Sequence, residues 1–274
     1  MKKRSKLLCG LLAGLPALYL FSIAPGRRSL PLMDRLKKYD YAHRGLHNNL
    51  WKIPENSMAA FKEAIDHHYG IELDVHLTKD KHLVVFHDDS LWRMCRVKGK
   101  ICDMTWNELK DIPLIGTTET IPLFKDVLAL VAGQVPLIIE LKVDNENYNE
   151  LCTAVDHLLA SYKGEYCIES FHPLALYWYR KHRKKVIRGQ LSCNFRKSPR
   201  YWQLKPLALS HLLTNVITRP DFIAYDYEDI QNWGFFLNRR LFGAMTVLWT
   251  IRHPKDYKVL KKLGHTIIFE QFTP

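Results

Sequence analysis

The chain has 274 residues, 47% of them hydrophobic and 25% charged, with a formal charge of +12. That is enough apolar material for one large core, and the length suits a single α/β barrel, which commonly takes about 250 residues. Six of the basic residues, Lys2, Lys3, Arg4, Lys6, Arg27 and Arg28, fall outside the expected fold; the remaining excess of about +6 suits an anionic phosphate or a lipid headgroup and gives no reason to expect nucleic-acid binding.

In chain order, the basic stretch Lys2-Lys3-Arg4-Ser5-Lys6 precedes an apolar run from Leu7 to Ala24, about the minimum length needed to span a bilayer. Pro25 directly after Ser22-Ile23-Ala24 is a poor cleavage context. Pro16 and the basic flanks argue against a buried core helix. The expectation is a membrane-anchoring segment over residues 1–28 that sets location rather than folding. The folded domain, residues 29–274, is expected outside the cytoplasm.

Past a linker from Pro25 to Pro31, short β-rich runs alternate with amphipathic stretches, the pattern of βα units around a parallel sheet. Eight strands are predicted, at Tyr39–His43, Ile71–Val75, Leu137–Leu141, Tyr166–Ser170, Val186–Leu191, Phe222–Tyr225, Thr246–Thr250 and Thr266–Phe269. A further run, Leu83–His87, follows the second strand too closely for a parallel crossover and must return as an antiparallel hairpin arm. It carries His87 back towards Glu72 and Asp74. The excursion from Asp88 to Pro122 is expected to form a small lobe over the barrel mouth, with a helix at Thr105–Lys110. The six cysteines show no CxxC pair or zinc spacing and are expected as buried thiols, with a Cys95–Cys102 bridge left open for an oxidising compartment.

Four clusters fall near the C-terminal ends of these strands, where barrel enzymes place their sites: His43-Arg44-Gly45, Glu72-Leu73-Asp74, His87-Asp88 and Glu140-Leu141-Lys142. Residues two apart in a strand share a face, so Glu72 and Asp74 project together, as do Glu140 and Lys142. Three acids pointing into one barrel need compensation, and all-oxygen ligation suits Mg²⁺ or Ca²⁺.

These motifs, with Pro54-Glu55-Asn56-Ser57, Thr78-Lys79-Asp80, Ile121-Pro122-Leu123, Ser170-Phe171 and Trp249-Thr250, resemble the glycerophosphodiester phosphodiesterases in order and spacing from about Tyr39 onward. The resemblance implies a (β/α)₈ barrel that hydrolyses glycerophosphodiesters to sn-glycerol 3-phosphate and an alcohol. It implies His43 and His87 as general acid and base, and Glu72, Asp74 and Glu140 as ligands of a divalent metal. Glu55 is implied as a further ligand or ligand-orienting group, and Arg44, Lys142 and Trp249 as substrate contacts. Which histidine is the acid stays open, as does the nucleophile, water or the glycerol 2-hydroxyl. Alternative readings are a lysophospholipase D acting on lysophospholipids and a non-catalytic binder of phosphate polymers or lipid headgroups. The C-terminal stretch departs from the family's Gly-x-Asp-Gly-Ile-x-Thr-Asp pattern, leaving Glu270 or Gln271 to stand in for the terminal acid.

Overall fold

A computed structural model describes residues 14–26, 31–48, 52–195 and 203–274. Eight parallel strands close into a barrel: β1 (Tyr41–His43), β2 (Gly70–Leu77), β4 (Leu137–Leu141), β5 (Tyr166–Ser170), β6 (Arg188–Ser192), β7 (Phe222–Asp226), β8 (Met245–Ile251) and β9 (Thr266–Phe269). Closure comes from β1, which pairs with both β2 and β9. The expected boundaries shift where turns take over: Tyr39 N–H bonds Leu36 O and Val186 N–H bonds Arg183 O, so neither residue is free to start a strand.

β3 (Leu83–Val85) pairs antiparallel with the end of β2 that outruns β1, as the short connection required. The lobe that follows holds α4 (Trp92–Cys95) and α5 (Trp106–Leu109). Thr105 and Glu108 form a reciprocal capping box at the start of α5. The lobe has its own core, in which Leu91, Ile101, Leu109 and Ile121 pack against Val84 and Phe86.

Strand alternation divides the barrel into two apolar layers. Ile71, Leu73, Val75, Leu137 and Ile139 face outward onto helices such as α3 (Met58–Asp66), α6 (Phe124–Val131) and α7 (Tyr148–Leu159). Tyr41, Ile138, Cys167, Phe222, Val247 and Ile268 face inward and fill the floor of the barrel, closed from below by Met33 and Leu36 of α2 (Pro31–Leu36). Gly189 on β6 makes room there, since a Cβ at that position would lie 2.1 Å from the Phe222 ring. With the floor packed, inward residues one step higher, Glu72, Asp74 and Glu140 among them, are left at the mouth.

Residues 14–23 form a helix, α1. Among the described residues no helix is long and apolar enough to cross a membrane; the basic stretch and the first half of the expected anchor lie outside them. The end of the apolar run differs from the sequence expectation, because it packs onto the barrel. Ile23 is fully buried, and its carbonyl accepts hydrogen bonds from the buried amides of Asn215 (2.7 Å) and Asn238 (3.1 Å). Arg219 donates to the carbonyls of Phe21 (2.9 Å) and Ala24 (2.8 Å) and lies over the Phe21 ring. Gly26 N–H bonds Pro220 O, just before β7, so the contact is at the floor end.

Starting the chain at residue 29 removes the acceptor of two buried amides, a loss of about 1–3 kcal/mol, or roughly 2–12 °C in Tm for a domain of this size. Calorimetry against a chain starting at residue 14 tests this; equal Tm values would show that the contact adds nothing to folding.

Candidate active site

The first functional side chains come from a tight turn at the end of β1. β1 ends at His43, and the next two residues turn through the left-handed region, Arg44 at φ 56° and Gly45 at φ 80°. A Cβ on Gly45 would lie 2.8 Å from the Ala60 carbonyl carbon, so the third position must be glycine. The turn aims the Arg44 backbone N–H at Glu72 Oε2 (3.0 Å) and its guanidinium at Glu55 (2.7 Å) and Asp74 (3.6 Å). Across from it, the Asn56 amide donates to Asp74 Oδ2 (2.9 Å), while Ser57 caps α3 by accepting from Ala60 N–H.

Oxygens of Glu72, Asp74 and Glu140 lie within 4.8 Å of one another, and all three residues are buried. Parallel register places Asp74 and Glu140 side by side on β2 and β4. Lys142 Nζ bridges them, 3.2 Å from Asp74 and 3.0 Å from Glu140. Burial and the neighbouring acids push Glu72 well above the usual carboxylate range, and burial raises Glu140 to about 7. Burial opposes ionisation of Asp74 too, but Lys142, His87 and Arg44 overcome it and hold Asp74 low. Three hard oxygen ligands, two of them poorly ionised for want of positive charge, fit a divalent cation. Glu55 does not join the trio: its oxygens are taken by Arg44 and by Arg93 of the lobe (2.6 and 2.9 Å), a position that orients Arg44.

The two histidines approach the acids from different elements. His43 directs Nε2 towards Glu72 (3.9 Å), while its Nδ1 shares a 2.5 Å hydrogen bond with Glu270. Arg252 donates to the other oxygen of Glu270 (2.6 Å), and His47 lies 3.6 Å from the oxygen that His43 bonds. Alternation along β3 would point His87 outward with Val85, but the strand ends at Val85 and the chain bends at His87 into the mouth. His87 Nδ1 bonds Asp88 (2.6 Å), which is gripped in turn by Arg93, and His76 braces its carbonyl from β2 (3.2 Å) while bonding Asp144 (2.8 Å). Burial lowers both pKa values, that of His43 to about 4.

Beside the acids opens a cleft of about 670 Å³ bordered by His87, Lys142, Phe171, His172, Phe195 and Lys205. Phe171 meets Trp249 edge-on at 5.8 Å, and the Trp249 indole N–H is buried with no hydrogen-bond partner. His253, exposed, stands at the start of α12 (Pro254–Lys262). The sequence-derived residues therefore converge on one mouth. Sequence reasoning missed His47, His76, Asp144 and Glu169; of the two candidates for the terminal acid, Glu270 reaches the site and Gln271 is exposed. The five described cysteines are free, three of them buried and Cys102 and Cys193 half-buried.

The profile of the glycerophosphoryl diester phosphodiesterase family matches residues 43–273. The chain belongs to that family. A glycerophosphodiester phosphodiesterase of Bacillus altitudinis is 42% identical over 115 residues, 39% of this chain and 46% of that protein. Rat lysophospholipase D GDPD1 is 36% identical over 125 residues, 41% of this chain and 38% of that protein. In both cases the match spans less than half of the relative's length. The crystal structure of a glycerophosphodiester phosphodiesterase from Thermotoga maritima superposes with a TM-score of 0.64 at 25% identity, over 85% of this chain and 94% of that one.

Gly45→Ala should strain the turn that sets both His43 and Arg44. The expected result is a loss of about 2–4 kcal/mol in urea unfolding, from overpacking together with an unfavourable φ. A variant as stable as the parent would refute the tight fit.

Proposed function

We propose that the chain hydrolyses glycerophosphodiesters to sn-glycerol 3-phosphate and an alcohol. The observation that carries this reading is the pair His43 and His87, each held by its own carboxylate and each beside a different part of a buried acidic trio. Family membership and the name of the Bacillus altitudinis relative support it.

Glu72, Asp74 and Glu140 would hold Mg²⁺ or Ca²⁺, which when bound neutralises charge on the non-bridging phosphate oxygens. Arg44 and Lys142 bind the phosphate and add to that neutralisation. Trp249, whose ring meets Phe171 of the cleft edge-on, would contact the substrate from the wall of the mouth. One histidine takes the proton from the nucleophile and the other gives one to the departing alkoxide. Glu270 and Asp88 fix the two rings by bonding Nδ1, which leaves each Nε2 for proton transfer.

A second reading, hydrolysis of lysophospholipids, is favoured by the aromatic flank of Phe171 and Phe195 beside the cleft and by the rat relative's name. Rates on glycerophosphocholine and lysophosphatidylcholine separate the two. The N-terminal residues 1–28 are proposed to hold the chain at a membrane with the barrel outside the cytoplasm. The basic flank and the apolar run support that arrangement.

EDTA is expected to abolish turnover and added Mg²⁺ or Ca²⁺ to restore it; full activity in chelator would sink the metal reading. His43→Ala and His87→Ala should each lower glycerophosphocholine turnover by about 10²-fold or more. On a p-nitrophenyl ester, whose leaving group departs without a proton, only the variant lacking the acid should recover substantially. Near-parental rates for both on the natural substrate would remove the two histidines from the mechanism.

A further inference from the structure

Glu169 is a fourth carboxylate in the layer that holds Glu72, Asp74 and Glu140. It lies on β5 as the register partner of Glu140 on β4. It also shares the inward face with Cys167, which packs in the barrel floor two residues earlier. Neighbouring strands are about 4.8 Å apart, so the two inward glutamates stand side by side, with the Glu169 carboxyl just outside the group of Glu72, Asp74 and Glu140 oxygens that lie within 4.8 Å of one another. Glu169 is 1% exposed, and its Oε2 is buried with no hydrogen-bond partner.

An acid in such a place is unfavourable. Burial raises its pKa well above the ordinary range, Glu140 and Asp74 raise it further, and Lys142 acts in the opposite direction. Glutamine would fill nearly the same volume without that charge. With Glu169 included, four carboxylates face Arg44 and Lys142 in the mouth, and one divalent cation closes that balance.

We propose that Glu169 is a further ligand of the divalent ion and that it tilts the site towards Ca²⁺ over Mg²⁺. The inference rests on the metal reading given above. Ca²⁺ accepts six to eight oxygens in flexible geometry, and its affinity follows the number of charged ligands, whereas Mg²⁺ keeps to six at shorter distances and retains water. A fourth carboxylate on the adjacent strand widens the donor set in the direction that the larger ion can use.

Calorimetric titration of the metal-stripped full chain with CaCl₂ and with MgCl₂, for the parent and for Glu169→Gln, tests the proposal. In the variant the Kd for Ca²⁺ should rise by about 10-fold or more, while that for Mg²⁺ moves by less than about 3-fold. Equal shifts for the two ions, or no shift, would overturn the role of Glu169 and leave the metal reading standing. A parent that binds neither ion would overturn the metal reading, and the proposal with it. Melting in EDTA separates ligation from folding: Glu169→Gln should match or exceed the parent Tm, and a lower Tm would make Glu169 a structural residue and refute the proposal.

Discussion

The structure turns on the confinement of negative charge. Glu72, Asp74, Glu140 and Glu169 are nearly removed from water in one layer of the barrel, with Arg44 and Lys142 as the neighbouring cations. Placing ionised groups in so poor a solvent is strongly unfavourable unless opposite charge is close and well oriented. The strained turn at Arg44, the amide of Asn56 and the bridging ammonium of Lys142 can each be understood as a response to that demand. The parallel sheet is well suited to imposing it, because backbone hydrogen bonds fix the spacing of side chains that would otherwise move apart.

Around this layer the barrel separates its tasks by depth. The floor is apolar, closed by α2 and by close packing of Phe222 over Gly189, and it carries the end of the N-terminal segment. The mouth is polar and collects side chains from β1, β2, β4, β5 and β8 together with the segments that follow β3 and β9.

Much of this was legible in the sequence because the signals were local. The period of two gave the faces of Glu72 and Asp74, and the shortness of the Thr78–His82 connection forced the hairpin. The bend that turns His87 inward was not legible, since alternation alone points it the other way. Glu270 pairs with a histidine 227 residues away, and Asp144 with one 68 residues away; closure of the barrel and a loop brought them together, which no short-range pattern encodes. Glu169 was within reach of the same alternation rule, applied to an acid inside the apolar run Tyr166–Ser170. The packed end of the N-terminal run was hidden because hydropathy cannot show that Asn215 and Asn238 await a carbonyl there.

Arg93 grips Asp88 on the lobe side and Glu55 on the loop after β1 at the same time. That guanidinium acts as a staple across one side of the rim, tying the lobe to the barrel wall and closing that flank to traffic. The opposite flank, bordered by Phe171, Phe195 and Lys205, opens into the cleft. Approach to the mouth is therefore one-sided. On the proposed reading, a phosphodiester arriving along it would meet the acids and cations at its phosphate while the group beyond the phosphate trailed across an aromatic sill, so the length and polarity of that trailing group would be sampled outside the charged layer.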